Sequence, residues 1–144
     1  MSNGTEKVGP QKEGVGEEVE IKDSAIEGRG VFATRDFHIG ETVFVWDTSH
    51  EVNENAVKTL PAEDARYLTR HNGKYFLMPE PMRYMNHSCE ANTRPENGKD
   101  VATREIKAGE EITSDYRPQL LKGERLVCSC GTLSCQGFII GIAD

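Results

Sequence analysis

Three cysteines, Cys128, Cys130 and Cys135, fall within eight residues as Cys-x-Cys-x4-Cys, with Gly131 between the second and third. Thiolates this close together suit tetrahedral zinc, which takes four ligands. Cys89 is the one other cysteine of the chain and therefore the obvious fourth ligand. Two other readings compete: buried thiols acting as small apolar side chains, or two disulfides in an oxidising compartment. The crowding of three cysteines near one end, with no export signal ahead of them, favours metal in a reducing compartment. Four sulfur ligands leave no open position for water, so such a zinc is structural rather than catalytic.

A second cluster is Met85-Asn86-His87-Ser88-Cys89-Glu90-Ala91-Asn92. Asparagine donates and accepts at once, so it can pin a backbone loop or hold a polar ligand. Spacing alone leaves both open. If Cys89 joins the C-terminal trio, residues 86–92 lie under the C-terminal segment, and the metal walls one side of whatever Asn86 and His87 form. The third cluster, Glu110-Glu111-Ile112-Thr113-Ser114-Asp115-Tyr116, ends a β-prone run on a phenol. Taken by itself, that tyrosine is an amphipathic core residue with its hydroxyl at the surface.

The elements that must position these groups are short. Val19-Glu20-Ile21-Lys22 alternates like a first strand. Gly28-Arg29-Gly30 then precedes an apolar strand at Val31-Phe32-Ala33. A turn at residues 38–41 leads into Thr42-Val43-Phe44-Val45-Trp46, a run of branched and aromatic residues. Pro61 opens a short helix over residues 61–66. Asn72-Gly73, between two β-prone runs, signals a hairpin, and Ala108-Gly109 marks a turn before the strand that carries Tyr116. No long helix and no repeat is evident, so the expectation is a mostly β domain with short helices.

Residues 1–18 are rich in Gly, Glu and Lys without apolar periodicity, and are expected to form a disordered tail. The 144 residues fit one domain. With 36% hydrophobic and 28% charged residues, the composition is that of a soluble globular protein. No apolar run approaches the ~18 residues of a membrane span, so an intracellular, cytoplasmic location is expected (nuclear if the source is eukaryotic). A net charge of −7 argues against direct nucleic-acid binding and suits a basic protein or peptide partner.

Together, and in this order, the motifs resemble the SET-domain family of protein-lysine methyltransferases. Gly28-Arg29-Gly30-Val31-Phe32-Ala33 resembles the family's glycine motif, and Arg83-Tyr84-Met85-Asn86-His87-Ser88-Cys89 its Arg-Phe-x-Asn-His-Ser-Cys signature. Residues 110–116 resemble its Glu-Glu-Leu-Thr-x-Asp-Tyr motif, and Cys128 to Ile139 its post-SET segment. The resemblance implies a SET-domain β-clip fold of small sheets with a pseudoknot. It implies a SET domain over residues 19–118 and a zinc-bound post-SET segment over 119–144.

It also implies S-adenosylmethionine as methyl donor, one structural Zn2+, and a lysine on a protein such as a histone tail. Gly28, Arg29, Gly30, Arg83, Asn86, His87 and Tyr116 would hold the cofactor. Tyr116 would be the catalytic tyrosine, and Tyr67 a second tyrosine of the lysine channel. Tyr84 replaces the family's phenylalanine and would pack near the cofactor. Ser114 stands where many members carry Phe or Tyr, and its small side chain leaves room for more than one methyl group. Two alternatives remain on the sequence: a catalytically inactive SET-like module that binds a peptide or partner, and a plain zinc-binding interaction domain. Cofactor binding and turnover separate them.

Overall fold

The computed structural model describes residues 18–65, 67–120 and 122–142. The tail expected over residues 1–18 lies outside these except for Glu18. The carbonyl of Glu18 accepts from the Thr34 N–H at 2.9 Å, and its carboxylate pairs with Arg35 at 3.0 Å.

Among the described residues, twelve short strands carry the fold. The first sheet contains β1 (Val19–Asp23), β2 (Arg29–Ala33), β10 (Glu111–Ser114) and β7 (Asn86–His87), in the order β1-β2-β10-β7. A second sheet orders β3 (Thr42–Val45), β9 (Lys99–Ala102) and β8 (Thr93–Glu96) as β3-β9-β8. The third orders β4 (Glu51–Val52), β6 (Lys74–Leu77) and β5 (Leu68–His71) as β4-β6-β5. A separate hairpin pairs β11 (Arg125–Val127) with β12 (Phe138–Ile140). The helices are single turns, α1 (Glu54–Val57) and α2 (Ala62–Ala65). This is the mostly β architecture of small sheets that the sequence implies.

Turn chemistry sets two of the registers. Asn72 and Gly73 have φ of 55° and 76°, the left-handed pair that matches the twist of a two-residue hairpin, and they join β5 to β6. Asn97 and Gly98 repeat the geometry at 50° and 80° between β8 and β9. That second Asn-Gly hairpin adds an element beyond those read from the sequence.

The core collects inward residues of the first two sheets, among them Val31, Phe44 and Ile112, together with Phe37 and Ile106 of an isolated bridge, each fully buried. One connection matters most for function. β7 and β10 run parallel, with Thr113 opposite Asn86 and Ser114 opposite His87. Two motifs far apart in the chain thereby become neighbours.

Candidate functional site

The two asparagines of the second cluster do different things. Asn92 is 1% exposed. Its Nδ2 donates to the Glu111 carbonyl at 2.9 Å, and its Oδ1 accepts from the Thr113 N–H at 2.9 Å. It therefore stitches its loop to β10, satisfying backbone groups that burial would otherwise leave unpaired. Asn86 instead faces the glycine motif. Its Nδ2 lies within 3.2 Å of the carbonyls of Glu27 and Arg29, of Ser24 Oγ and of Glu111 Oε2. The amide thus ties residues 27–29 to the start of β7.

Ser24 and Glu111 complete this junction, and the sequence reading did not single them out. Ser24 Oγ lies 2.8 and 2.9 Å from the two Glu111 carboxylate oxygens. Gly30 fits against them: a Cβ there would overlap the Glu111 carboxylate and stand 3.1 Å from Ser24 Cβ. Gly28 serves differently, with φ of 47° and open space around the position of a Cβ. Glycine takes that left-handed conformation with no Cβ penalty, and it leaves bare backbone facing the cavity.

His87 is buried, and its ring lies between two functional clusters. Nδ1 accepts from the Tyr116 N–H at 2.9 Å, and Nε2 lies 3.5 Å from Cys89 Sγ. An accepting Nδ1 places the proton of the neutral ring on Nε2, facing the sulfur. Burial lowers the His87 pKa although Asp115 nearby opposes it, so the neutral form is favoured. For Asp115, burial works against ionisation, but hydrogen bonds from Arg117 prevail and hold its carboxyl below the usual range.

Tyr116 donates its phenol to the Met85 carbonyl. Burial, with Glu27 and Glu111 nearby, pushes its pKa above that of a free tyrosine, so the hydroxyl stays protonated and can donate. Tyr67 meets Tyr84 edge to face at 6.0 Å, and the Arg83 guanidinium lies 4.7 Å from the Tyr67 ring centre. Arg83 is itself held by its Nε bond to the Met78 carbonyl at 3.1 Å. Arg29 lies 5.5 Å from the Tyr84 ring.

These residues surround one cavity of about 660 Å³. Gly28, Arg29, Arg83, Asn86, His87, Tyr67 and Tyr116 all line it, and Gly30 stands behind the wall. Ser114, Trp46 and Asp100 also contribute. The size suits a small-molecule ligand. Its wall offers guanidinium groups for a carboxylate, backbone and Glu27 for an ammonium group, and Met82, Tyr84 and Met85 for apolar contact.

The four cysteines also converge. Cys89, Cys128, Cys130 and Cys135 are unoxidised, and their sulfurs lie within 4.8 Å of one another, with Cys89 and Cys128 at 3.9 Å. Ligands about 2.3 Å from a tetrahedral zinc stand about 3.8 Å apart, so the cluster matches zinc. Backbone N–H groups of Cys89 and Gly137 already point at Cys130 and Cys135 sulfur, at 3.4 and 3.3 Å. Burial pushes the Cys128 thiol up to about 11. At Cys130, burial is outweighed by hydrogen bonds from Cys89 and Thr132, which bring it down to about 5. Such a crowded set of sulfurs calls for a cation before all four can ionise. Ser134 adds a second link between the two loops, donating through Oγ to Glu90 at 2.7 Å.

The family model for the SET domain matches residues 28–117. Among curated proteins, a histone-lysine N-methyltransferase, H3 lysine-36 specific, of Yarrowia lipolytica is 31% identical across 85% of this chain and 18% of its own length. The histone-lysine N-methyltransferase trithorax of Drosophila virilis is 30% identical across 81% of the chain and 3% of its own. The human histone-lysine N-methyltransferase SETD2 is 28% identical across 86% and 6%. The chain therefore spans less than a fifth of the length of these relatives.

Proposed function

This chain belongs to the SET-domain family, and we propose that it is a protein-lysine N-methyltransferase that uses S-adenosylmethionine. The observation that carries this reading is the convergence on one cavity of the glycine motif, the Asn86-His87 pair and the Tyr116 phenol. Bound there, the cofactor supplies an electrophilic methyl group on sulfonium sulfur. Arg29, Arg83 and the backbone from Gly28 to Gly30 hold its amino-acid end. Asn86 and His87 hold it through their main chain, since the Asn86 amide and the His87 ring are already engaged within the protein.

The substrate amine must be neutral to attack, whereas free lysine has a pKa of about 10.4. Apolar walls disfavour the charged form and exclude competing water. Tyr116 orients the amine beside its phenol, and Tyr67 walls the channel. Alignment of this kind contributes roughly 7–11 kcal/mol when the reacting groups are held in line.

We take the catalytic domain as residues 19–118 and residues 119–144 as a clasp closed by one structural Zn2+ on Cys89, Cys128, Cys130 and Cys135. The substrate is a basic protein such as a histone tail, drawn by the −7 charge, and the protein works inside the cell, in the nucleus if its source is eukaryotic. The test is label transfer from radiolabelled S-adenosylmethionine to a panel of basic proteins, with Tyr116→Phe as control. Label on a lysine that the control loses supports the enzyme. Cofactor binding by calorimetry without label on any panel member favours a silent binding module.

A further inference from the structure

Asp100 lies in β9 and is only 4% exposed. Its Oδ2 accepts from the Trp46 indole N–H at 2.8 Å. Among the described residues no cation pairs with this carboxylate, and no hydrogen bond reaches Oδ1. A carboxylate buried without a cation is costly, and burial pushes its pKa up to about 7 against the opposing effect of the indole. Asp115, also on the cavity wall, is neutralised by Arg117 at 2.7 Å. Among the described residues, Asp100 has no such partner.

Strand register and a shared cavity wall relate it to the end of β10 that carries Tyr116. Thr93 Oγ1 donates to the Thr113 carbonyl at 2.7 Å, which seats the start of β8 against β10. Pro95 lies two residues along the same face of β8, about 7 Å on at the usual strand rise. Asp100 is its direct cross-strand partner, so the two share a face. Ser114 follows Thr113, and Tyr116 lies two residues beyond. Pro95, Asp100, Ser114 and Tyr116 all line the one cavity. A bulky residue at 114 would narrow this space, whereas serine leaves it open.

We propose that the Asp100 carboxylate, oriented by the Trp46 indole, is a cation site that receives the ε-ammonium of an incoming lysine side chain and takes a proton from it. One N–H bond of the ammonium breaks, its electron pair stays on nitrogen, and the proton moves to Oδ1. A neutral amine and a carboxylic acid result, the pair that a poorly hydrated wall favours over two ions. Asp100 thereby prepares the lone pair that methyl transfer requires. The identity of the amine rests on the methyltransferase reading, but the cation site can be read without turnover.

Trp46 is the only tryptophan of the chain, so its indole N–H resonance is an unambiguous reporter of Asp100. The experiment titrates n-butylammonium, a lysine side chain without its backbone, into the full chain at neutral pH, with n-butanol as the uncharged isostere. The ammonium should shift the indole signal saturably, butanol should not, and Asp100→Asn should lose the response. Infrared difference spectra of the same titration should gain a protonated-carboxyl C=O band that Asp100→Asn lacks. No response, equal responses to ammonium and alcohol, or a response that survives in Asp100→Asn would overturn the cation site. Absence of the carboxyl band would overturn the proton transfer. The wild-type comparison decides even if the variant does not fold. An intact indole response in a chain that methylates nothing would instead count against the methyltransferase reading alone.

Discussion

The backbone N–H of Tyr116 donates to Nδ1 of His87 across 2.9 Å, joining residues 29 positions apart. Because Nε2 of the same ring faces Cys89 sulfur, one imidazole connects the turn that carries the phenol to the cysteine cluster. His87→Ala should leave the Tyr116 N–H without its acceptor and cost about 1–3 kcal/mol of stability. His87→Asn, whose Oδ1 can stand in for Nδ1, should recover part of that loss. Urea unfolding of both variants checks the order.

Removing the Tyr116 hydroxyl deletes a donor at the reacting end of the cavity while leaving the ring in place. Tyr116→Phe should fold and bind cofactor, as followed by calorimetry, but lose about 100-fold or more in turnover. Undiminished label transfer by the purified variant would rule out the role.

Zinc removal should loosen the part of the cavity wall that Leu126, Val127 and Cys128 supply. One bound zinc per chain is expected by native mass spectrometry, and Cys135→Ser or a strong chelator should release it. Hydrogen exchange should then rise in residues 122–142 and around Cys89, because the metal is the main tie between those loops. Unchanged exchange after zinc loss would contradict the clasp.

Gly30→Ala tests the junction behind the cavity wall. The added methyl would meet a Glu111 carboxylate that Ser24 and Asn86 hold in place, so it cannot be accommodated by swinging one free side chain. A cost of about 1–3 kcal/mol is expected, with weaker cofactor binding by calorimetric titration. Gly28→Ala meets no neighbour and should suffer only from its positive φ.

Asp100 should leave a signature in the pH dependence of stability. Between about 4 and about 7, the folded chain keeps a proton that the unfolded chain has released. Stability contributed by Asp100 is therefore present at low pH and is lost as pH rises through this window, by up to roughly 1.4 kcal/mol per pH unit. Asp100→Asn cannot titrate. Its stability relative to wild type should improve from pH 5 to pH 8 in urea unfolding, and parallel curves would refute the shift.

Much of this molecule is legible in the linear chain, for local reasons. Asn72-Gly73 specifies its hairpin through backbone conformation alone, and alternation marks β1. The number and crowding of the four cysteines favour a metal site over separate buried thiols. The four motifs, in their order, identify the family before any contact is seen. What the chain does not display is which residues meet. Ser24 reaches Glu111 across 87 positions, Asn86 closes on the carbonyls of Glu27 and Arg29, and Trp46 caps Asp100 across 54. Trp46 reads from its strand as a core residue, and Asp100 carries no motif at all. Periodicity reports only the face on which a side chain lies. Whether that face meets core, solvent or a shared cavity depends on strand pairings between distant segments, and only the tertiary structure decides those.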